Sequence, residues 1–312
     1  MRVFVAGATG YIGSAVVREL LDAGHQVLGL ARSDRAAGTL TRSGVDVHRG
    51  DIDDADSLRA GAAAADGVVY AANQHISETT DPAARAKAEL NAVEAIGTEL
   101  EGTGKPFVVT SGVIGRTPGD LLTEETPAVA NPVTALRLQV ELSVLAAGER
   151  GVRSSSVRLA PTVHGPGDAR GFISTLIGVA RTTGVSAFVG DGSNRWPAVH
   201  RRDAATLYRL ALESAPAGTP LHAVAEEGVP FGDIARAIGR QLGVPAVSLT
   251  PEEAGRHFAG FLAPLVALDN PASSALTRQR TGWNPTHPAL VPDIEQGHYF
   301  EEFSAGHRSG PE

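Results

Sequence analysis

Three glycines separated by two residues each, Gly7, Gly10 and Gly13, constrain this chain more than any other feature of its sequence. They follow the apolar run 3–6 and precede a stretch with helical apolar periodicity at 12–21, so the pattern predicts a strand, a tight turn and a helix. In such a turn one glycine allows the tight bend, one admits a pyrophosphate to the backbone, and one lets the helix pack closely on the strand. The helix start adds free N–H groups and a positive dipole end. The alternative is a glycine-rich turn without a ligand. The residues expected to contact a dinucleotide here are Gly7, Thr9, Gly10, Tyr11, Ile12 and Gly13.

Composition narrows the class of protein. The chain has 312 residues, is 42% hydrophobic and contains no cysteine, which excludes disulfides, thiolate nucleophiles and cysteine metal sites. A formal net charge of -8 argues against nucleic acid or an anionic membrane as the main partner. No apolar run reaches transmembrane length, and the first residues run directly into a strand pattern rather than a signal peptide. We therefore expect a cytoplasmic protein with a small-molecule substrate, no metal, and a monomeric or homodimeric state.

Strand and helix patterns alternate through the first half of the chain. Helices of this length between strands predict parallel, right-handed βαβ units, and thus an α/β fold of the Rossmann type, with a doubly wound parallel sheet. In such a sheet the ligand crevice lies at the carboxyl ends of the strands. The predicted strands after the first are 27–30, 45–48, 68–72, 107–110 and 155–159, and the longest helices are 82–100 and 131–148.

The pattern loosens after about residue 160, where Pro and Gly are scattered between shorter elements. We predict a Rossmann domain over 1–160 and a smaller substrate-binding lobe over 161–303, parts of which return to the first domain. Residues 304–312 are polar and predicted to be a frayed tail. The predicted lobe elements are helices at 170–183, 203–214, 231–242 and 251–262, and short strands at 187–189 and 221–225.

The spacing and position of the glycine turn resemble the extended and atypical branches of the short-chain dehydrogenase/reductase superfamily. These are NAD(P)-dependent epimerases, dehydratases and reductases. Residues 190–203 resemble the substrate-lobe motif of extended members, and residues 281–285 resemble their closing segment. Related extended proteins often dimerise through the helices that match 82–102 and 131–148.

The end of the second strand indicates which nicotinamide cofactor binds. NAD-binding proteins place an acidic residue there to bond the ribose hydroxyls. This chain has Arg32 and Ser33 instead, with Asp34 and Arg35 later in the loop. A guanidinium binds a 2′-phosphate well because it is bidentate and always charged. We therefore expect NADP rather than NAD, with a solvated basic loop as the alternative.

Further cofactor contacts are implied by the resemblance alone. The family's adenine contact follows the third strand, and a small-residue stretch beneath the cofactor follows the fourth, although alanines there are also ordinary strand packing. A segment after the sixth strand brings its backbone to the nicotinamide amide. The matching residues are Asp51, Ile52, Ala71, Ala72, Pro161 and Val163.

The catalytic centre departs from the family pattern. Ser111 matches the serine that follows the fifth strand. The family's Tyr and Lys, which form the proton relay, are replaced by Val133 and Arg137, and no Tyr or Lys occurs between residues 106 and 207. Arg137 can hold a ribose or a phosphate, but its pKa is too high for proton exchange. The resemblance is therefore to atypical members that retain the cofactor site and lose the relay.

Few side chains can replace the missing tyrosine. His75 follows the fourth strand, and His164 occupies the position where the nicotinamide segment usually has tyrosine. His200 lies in the substrate-lobe motif, and Thr134 is a weaker candidate. A lone histidine is more often a structural hydrogen-bonding residue. Among the histidines we favour His164 as the proton donor.

Two neighbours of His200 are expected to meet the substrate. By resemblance Arg195 contacts it, whereas the stretch from His200 to Asp203 mainly caps a helix. His200 is nevertheless also a candidate substrate contact. Trp196 lines the pocket or packs beneath the lobe.

These observations favour an NADP-dependent, atypical, epimerase-like oxidoreductase acting on a small carbonyl, iminium or enone compound. Ser111 would polarise a substrate oxygen, and a histidine, water or the substrate would handle the proton. Two alternatives remain open: an NADP-binding sensor or scaffold without turnover, and a cofactor-assisted isomerase or cyclase.

Overall fold

The computed structural model describes residues 1–72, 81–113, 119–127, 135–258, 260 and 262–301. The first half of the chain contains β1 (Arg2–Ala6), α1 (Tyr11–Asp22), β2 (Gln26–Ala31), α2 (Asp34–Arg42), β3 (Asp46–Arg49), α3 (Ala55–Ala63), β4 (Gly67–Tyr70), α4 (Pro82–Glu99), β5 (Pro106–Gly112), α5 (Ala135–Ala146) and β6 (Arg153–Leu159). The second half contains β7 (Thr162–His164), α6 (Phe172–Thr183), β8 (Ser186–Val189), β9 (Arg195–His200), α7 (Arg201–Ser214), β10 (Thr219–Ala223), β11 (Glu226–Pro230), α8 (Phe231–Leu242), β12 (Ala246–Leu249), α9 (Pro251–His257), α10 (Leu262–Leu265), α11 (Ala275–Thr281) and α12 (Leu290–Glu295).

A seven-stranded parallel sheet forms the centre of the molecule, in the order β10-β6-β5-β4-β1-β2-β3. Val, Leu and Phe predominate in β1, β2, β4 and the first half of β5 because both faces of the sheet are covered by helices. One apolar cluster packs α1 and α7 on one face, and a second packs α3, α4 and α5 on the other. The predicted Rossmann-type fold is therefore confirmed.

The direction of winding changes between β1 and β4. From β1 the chain adds β2 and β3 to one side, and it then returns to add β4, β5 and β6 to the other. A crevice opens outside the carboxyl ends of the strands at such a switch point. The glycine turn directly follows β1, so it lies at this crevice.

A smaller lobe follows β6. It contains a three-stranded sheet, β11-β9-β7, and a two-stranded sheet, β12-β8, around an apolar cluster of its own. Two of the later elements return to the large sheet, because β10 pairs with β6 and α7 packs on α1. These returning elements are why a single cut at residue 160 divides the chain only approximately.

The lobe also differs in detail from its predicted elements. The helix expected at 251–262 is two short helices, α9 and α10, separated near Gly260, which has a positive φ of 55°. Strand β7 has only three residues, and β9 and β11 contain proline, so neither length nor apolar pattern marks them as strands in the sequence. Among the described residues, no helix combines the length and the apolar character that crossing a bilayer requires.

Candidate functional site

The glycine turn packs directly against the end of β4. Gly7 has φ of 88°, and a Cβ on it would lie 2.6 Å from the backbone nitrogen of Ala72. Any side chain at Gly13 would overlap the carbonyl oxygen of Gly7. A Cβ at Gly10 would meet only that carbonyl, at 3.3 Å, and would otherwise point into open space. Two of the glycines are therefore needed for packing, and Gly10 leaves a cradle that a side chain would fill.

The other predicted contacts to the adenosine half lie at the same edge of the sheet. Ala71 continues β4, where its N–H donates to the carbonyl of Ala6 at 2.9 Å. Asp51 follows β3 and is partly exposed, whereas Ile52 packs against the core beneath the sheet. Ala72 is buried beneath the turn. The fold thus brings these residues to the crevice, where their contact with a cofactor stays a prediction.

Charged side chains surround the end of β2. The Arg32 side chain is 78% exposed, and its Nε lies 3.8 Å from Asp51 Oδ2. Ser33 is the N-cap of α2, since its hydroxyl accepts the N–H of Ala36 at 3.2 Å. Asp34 forms an ion pair with Arg49 at the end of β3. Asp34, the first residue of α2, thus has a cationic partner at the surface, and Arg49 is a second cation that sequence reasoning missed.

Ser111 lies near the end of β5, opposite Arg158 in the parallel register with β6. It is partly exposed at the crevice edge. The preceding residue fixes this strand end: the Thr110 hydroxyl donates to the carbonyl of Tyr70 at 3.1 Å and lies 2.6 Å from the hydroxyl of Tyr208. Burial raises the pKa of Tyr208, which is therefore a neutral hydrogen-bonding partner and not a proton relay.

Arg137 is held by a buried carboxyl that sequence reasoning missed. Its Nη2 lies 3.6 Å from Oε1 of Glu89 on α4, whose side chain is 3% exposed. Burial raises the pKa of Glu89, and Arg137 and Arg85 oppose this change. The predicted positions His75, Val133 and Thr134 lie outside the described residues.

His164, the predicted proton donor, is buried and paired within the protein. Its side chain is only 1% exposed, and its Nδ1 lies 2.8 Å from Oδ2 of Asp293 on α12. Burial alone would raise the pKa of Asp293, but His164 and His298 lower it on balance. This histidine is therefore a buried link between β7 and α12 and presents no surface to the crevice, whereas Val163 beside it is partly exposed.

His200 is also buried, and it caps a helix, as the resemblance implies for this stretch. Its Nδ1 accepts the N–H of Arg202 at 3.2 Å and so caps α7. Its ring stacks on His287 at 4.7 Å with an interplanar angle of 6° and meets the edge of His164. Burial, with the two neighbouring imidazoles, lowers the pKa of His200 to about 4.

Asp203 completes a His–Asp–His cluster with His200 and His287. Its carboxylate accepts the backbone N–H groups of Thr286 and His287 and lies 2.8 Å from the His287 Nδ1. The two stacked rings lie in parallel planes, so their lone pairs do not converge on one point. A metal ion would have to break this hydrogen-bonded junction, which holds the closing segment on α7.

The two remaining lobe candidates are both engaged within the protein. The Arg195 guanidinium binds Asp269 through Nε at 3.0 Å and Nη2 at 2.8 Å. Trp196 is buried between Phe172 and Phe231. It packs beneath the lobe, as one of its two predicted interpretations requires. It also lines a small cavity of about 10 Å³ together with Pro161, Phe172, Leu265, Leu268 and Asn270.

Comparisons with known proteins agree with this geometry. The family model of the NAD dependent epimerase/dehydratase family matches residues 3–224. An uncharacterised protein of Schizosaccharomyces pombe is 46% identical over 96% of this chain and 100% of its own length. A 2-alkyl-3-oxoalkanoate reductase of Stenotrophomonas maltophilia is 28% identical over 79% of this chain and 77% of its own.

Solved structures share the fold. The dTDP-glucose 4,6-dehydratase of Streptomyces venezuelae, solved with NAD and TYD bound, superimposes with a TM-score of 0.78 at 20% identity, over 97% of this chain and 98% of that chain. The match of the family model covers well over half of the sequence, including the glycine turn, β5 and β6. The chain therefore belongs to the NAD-dependent epimerase/dehydratase family.

Proposed function

We propose that this protein is an NADP-dependent reductase of small carbonyl, iminium or enone compounds that carry no phosphate group. The observation that carries the cofactor choice is the exposed Arg32 at the end of β2, where an NAD-binding protein would have an acidic residue. The nearby acidic residue, Asp34, is paired with Arg49 and does not oppose a phosphate at this position.

The residues at the crevice fit a dinucleotide. Gly10 leaves open space where a Cβ would project, and the N-terminus of α1 supplies backbone N–H groups beside it. Arg32 would bind a 2′-phosphate, with the hydroxyl of Ser33 beside it and Asp51 and Ile52 near the adenine. When bound, the cofactor would supply a hydride to the substrate.

The chemistry of this chain's own residues is polarisation and positioning. Ser111, at the crevice edge, would donate its hydroxyl proton in a hydrogen bond to a substrate oxygen. Arg137, held by Glu89, would bind the ribose and not exchange a proton. Because His164 and His200 are buried, the proton would come from water or from His75. An iminium or enone substrate depends least on a proton donor of the protein.

The lobe supports a substrate without a phosphate group. Arg195 occupies the position expected to contact substrate, but both of its hydrogen bonds to Asp269 are charge-assisted and form a closed pair. A nucleotide-sugar pyrophosphate would have to displace that carboxylate. One relative is, by its name, a reductase of a 2-alkyl-3-oxoalkanoate, which is consistent with ketone reduction, whereas another is named a UDP-glucose 4-epimerase.

Cofactor titration tests the proposal. NADPH should bind more tightly than NADH, and Arg32→Ala should remove most of the difference, roughly 10- to 100-fold, because a charge-assisted phosphate contact is lost. Arg42→Ala changes the same charge at the far end of α2 and should leave both affinities unchanged. Equal dissociation constants for NADPH and NADH in the parent protein would contradict the proposal.

The second candidate function is NADP binding without turnover. It is favoured by one observation, the absence of Tyr and Lys between residues 106 and 207. A screen of ketones, cyclic imines and enones with NADPH, followed at the nicotinamide absorbance, separates the two. Oxidation of NADPH that depends on substrate and is lowered by Ser111→Ala supports the reductase. Tight NADPH binding with no turnover across the screen supports a sensor or scaffold.

A further inference from the structure

One guanidinium joins the glycine turn to a loop of the lobe. Arg201, the first residue of α7, donates from Nη2 to the carbonyl of Tyr11 at 2.7 Å and to the hydroxyl of Ser14 at 3.0 Å. Its Nη1 donates to the carbonyl of Pro166 at 2.7 Å. The same group lies over the Tyr11 ring, 4.3 Å from the centroid. A single planar cation therefore holds the start of α1 and the loop at fixed separation.

The Tyr11 hydroxyl makes a second connection to the same loop. It donates to the carbonyl of Gly165 at 3.0 Å. From the other side, the Gly165 N–H donates to the hydroxyl of Tyr299 at 3.2 Å, and that hydroxyl lies 3.3 Å from Asp168 Oδ2. Gly165 has φ of 129°, a conformation that favours glycine and leaves its carbonyl directed at the tyrosine. Loop 165–168 is thus held between the glycine turn and the C-terminal segment.

Holding the Arg201 guanidinium in this position costs free energy because the group loses contact with water. Burial lowers the pKa of Arg201, and its Nε is buried without a hydrogen-bond partner among the described residues. The planar guanidinium of Arg201 donates to three oxygen acceptors and lies over the Tyr11 ring. A lysine ammonium is a single point charge and could not make all of these contacts at once. A buried guanidinium with several hydrogen bonds makes the surrounding structure rigid, so Arg201 is suited to fixing the geometry of this cleft.

We propose that Tyr11 and Arg201 are positioning residues that set the nicotinamide-side loop, residues 165–168, relative to the pyrophosphate-binding turn. This inference rests on the proposed function, in which the cofactor spans both. Tyr11 lies one residue beyond Gly10, and the loop directly follows β7. Pro161, which precedes β7, and Val163, which lies in it, are expected beside the nicotinamide. We call the contacts of Tyr11 and Arg201 with loop 165–168 the clasp. The clasp acts on the nicotinamide half of the cofactor, whereas the glycine turn and Arg32 bind the adenosine half.

Fragment binding separates the two halves. Adenosine 2′,5′-bisphosphate lacks the nicotinamide, whereas NADPH carries both halves and reports its environment by fluorescence. In Arg201→Met the dissociation constant of NADPH should rise about tenfold, the effect of one lost charge-assisted contact, while that of the bisphosphate stays within about twofold. The enhancement of NADPH emission on binding should also be lost.

Arg209→Met is the matched control. Arg209 lies on the same helix and ties it to α1 through Glu19 at 2.8 Å, away from the loop. It should leave both dissociation constants and the emission unchanged. A milder variant, Tyr11→Phe, keeps the ring beneath the guanidinium and removes only the hydrogen bond to Gly165. It should raise the NADPH dissociation constant about threefold without unfolding the protein.

The outcomes are distinguishable. If the parent protein binds neither NADPH nor the bisphosphate, the proposed function fails and this inference fails with it. If the parent binds both and Arg201→Met weakens both equally, the cofactor assignment stands and the clasp is only part of the packing of α1 on α7. An effect of Arg209→Met equal to that of Arg201→Met leads to the same conclusion. Selective loss of NADPH affinity, repeated in Tyr11→Phe, supports the inference.

Discussion

Acidification should destabilise the protein through His200, a buried imidazole at the junction of β9 and α7. Its ring faces His164 from β7, His287 from the closing segment, and the carboxylates Asp203 and Asp293. Its Nδ1 accepts the Arg202 N–H, which it cannot do once that nitrogen is protonated. Charging the ring therefore costs both solvation and the N-cap of α7.

The magnitude follows from the two pKa values. Unfolding raises the pKa of His200 from about 4 to its ordinary 6.5, so the unfolded chain binds more protons between these values. Stability from this group is complete above pH 6.5 and is lost as the pH falls towards 4. Each pKa unit corresponds to about 1.4 kcal/mol, and after allowance for partial solvent screening we expect a loss on the order of 1–2 kcal/mol between about pH 7 and pH 5.

The pH dependence of the unfolding free energy, compared between the parent and His200→Asn, measures this loss. Urea unfolding of the parent and of His200→Asn should be followed by circular dichroism at half-unit steps across this range. Asparagine retains an N-cap oxygen and does not titrate. The packing lost with the imidazole lowers the variant's stability equally at every pH, so it drops out of the slope. The parent should lose on the order of 1–2 kcal/mol more than the variant on acidification. Parallel pH profiles would show that His200 does not stay neutral in the fold.

Three further predictions concern packing and catalysis. Gly13→Ala should prevent stable folding because a Cβ there overlaps the turn, whereas Gly10→Ala should fold with an unchanged melting temperature and lose NADPH binding; thermal scans and titration check both. Ser111→Ala should lower turnover on a confirmed substrate roughly 10²–10⁴-fold with little change in NADPH affinity, as steady-state kinetics would show. Arg158→Leu should destabilise the protein by about 3–5 kcal/mol in urea unfolding because it leaves the buried Glu141 without its ion pair, and adding Glu141→Leu should restore much of the loss.

The first half of the chain was predictable because its signals are local. Glycines at the turn, apolar strands of four to seven residues and helices between them determine a parallel sheet without any long-range information. The cofactor edge follows from topology, since all of its strands end at one side. Hence Gly7, Asp51 and Ser111 are found at the crevice, as expected.

The histidines could not be placed in this way. Whether a side chain near a strand end faces the crevice or the interior depends on partners distant in sequence. His164 is paired with Asp293, 129 residues later, and His200 stacks on His287, 87 residues later. The pairing of β7 with β9 sets the register of both histidines, and it could not be predicted because β7 has three residues and β9 contains a proline. Glu89 was missed for the opposite reason, because a glutamate on a helix surface is ordinary until another helix covers it.

The distribution of paired charges links the cofactor choice to the substrate choice. Arg195 and Arg158 are each bound to a carboxylate of the protein, and the two terminal nitrogens of Arg201 donate to backbone carbonyls. By contrast Arg32 is exposed, and its nearest carboxylate lies at 3.8 Å. The chain carries a net charge of -8, so an anionic ligand is repelled at long range and must be attracted locally. The exposed Arg32 provides such an attraction at the adenosine end of the crevice. In the proposed function a dianionic 2′-phosphate would meet Arg32 there, whereas Arg195 of the lobe is already paired with Asp269. Under that proposal we expect the cofactor to supply most of the binding free energy of the ternary complex.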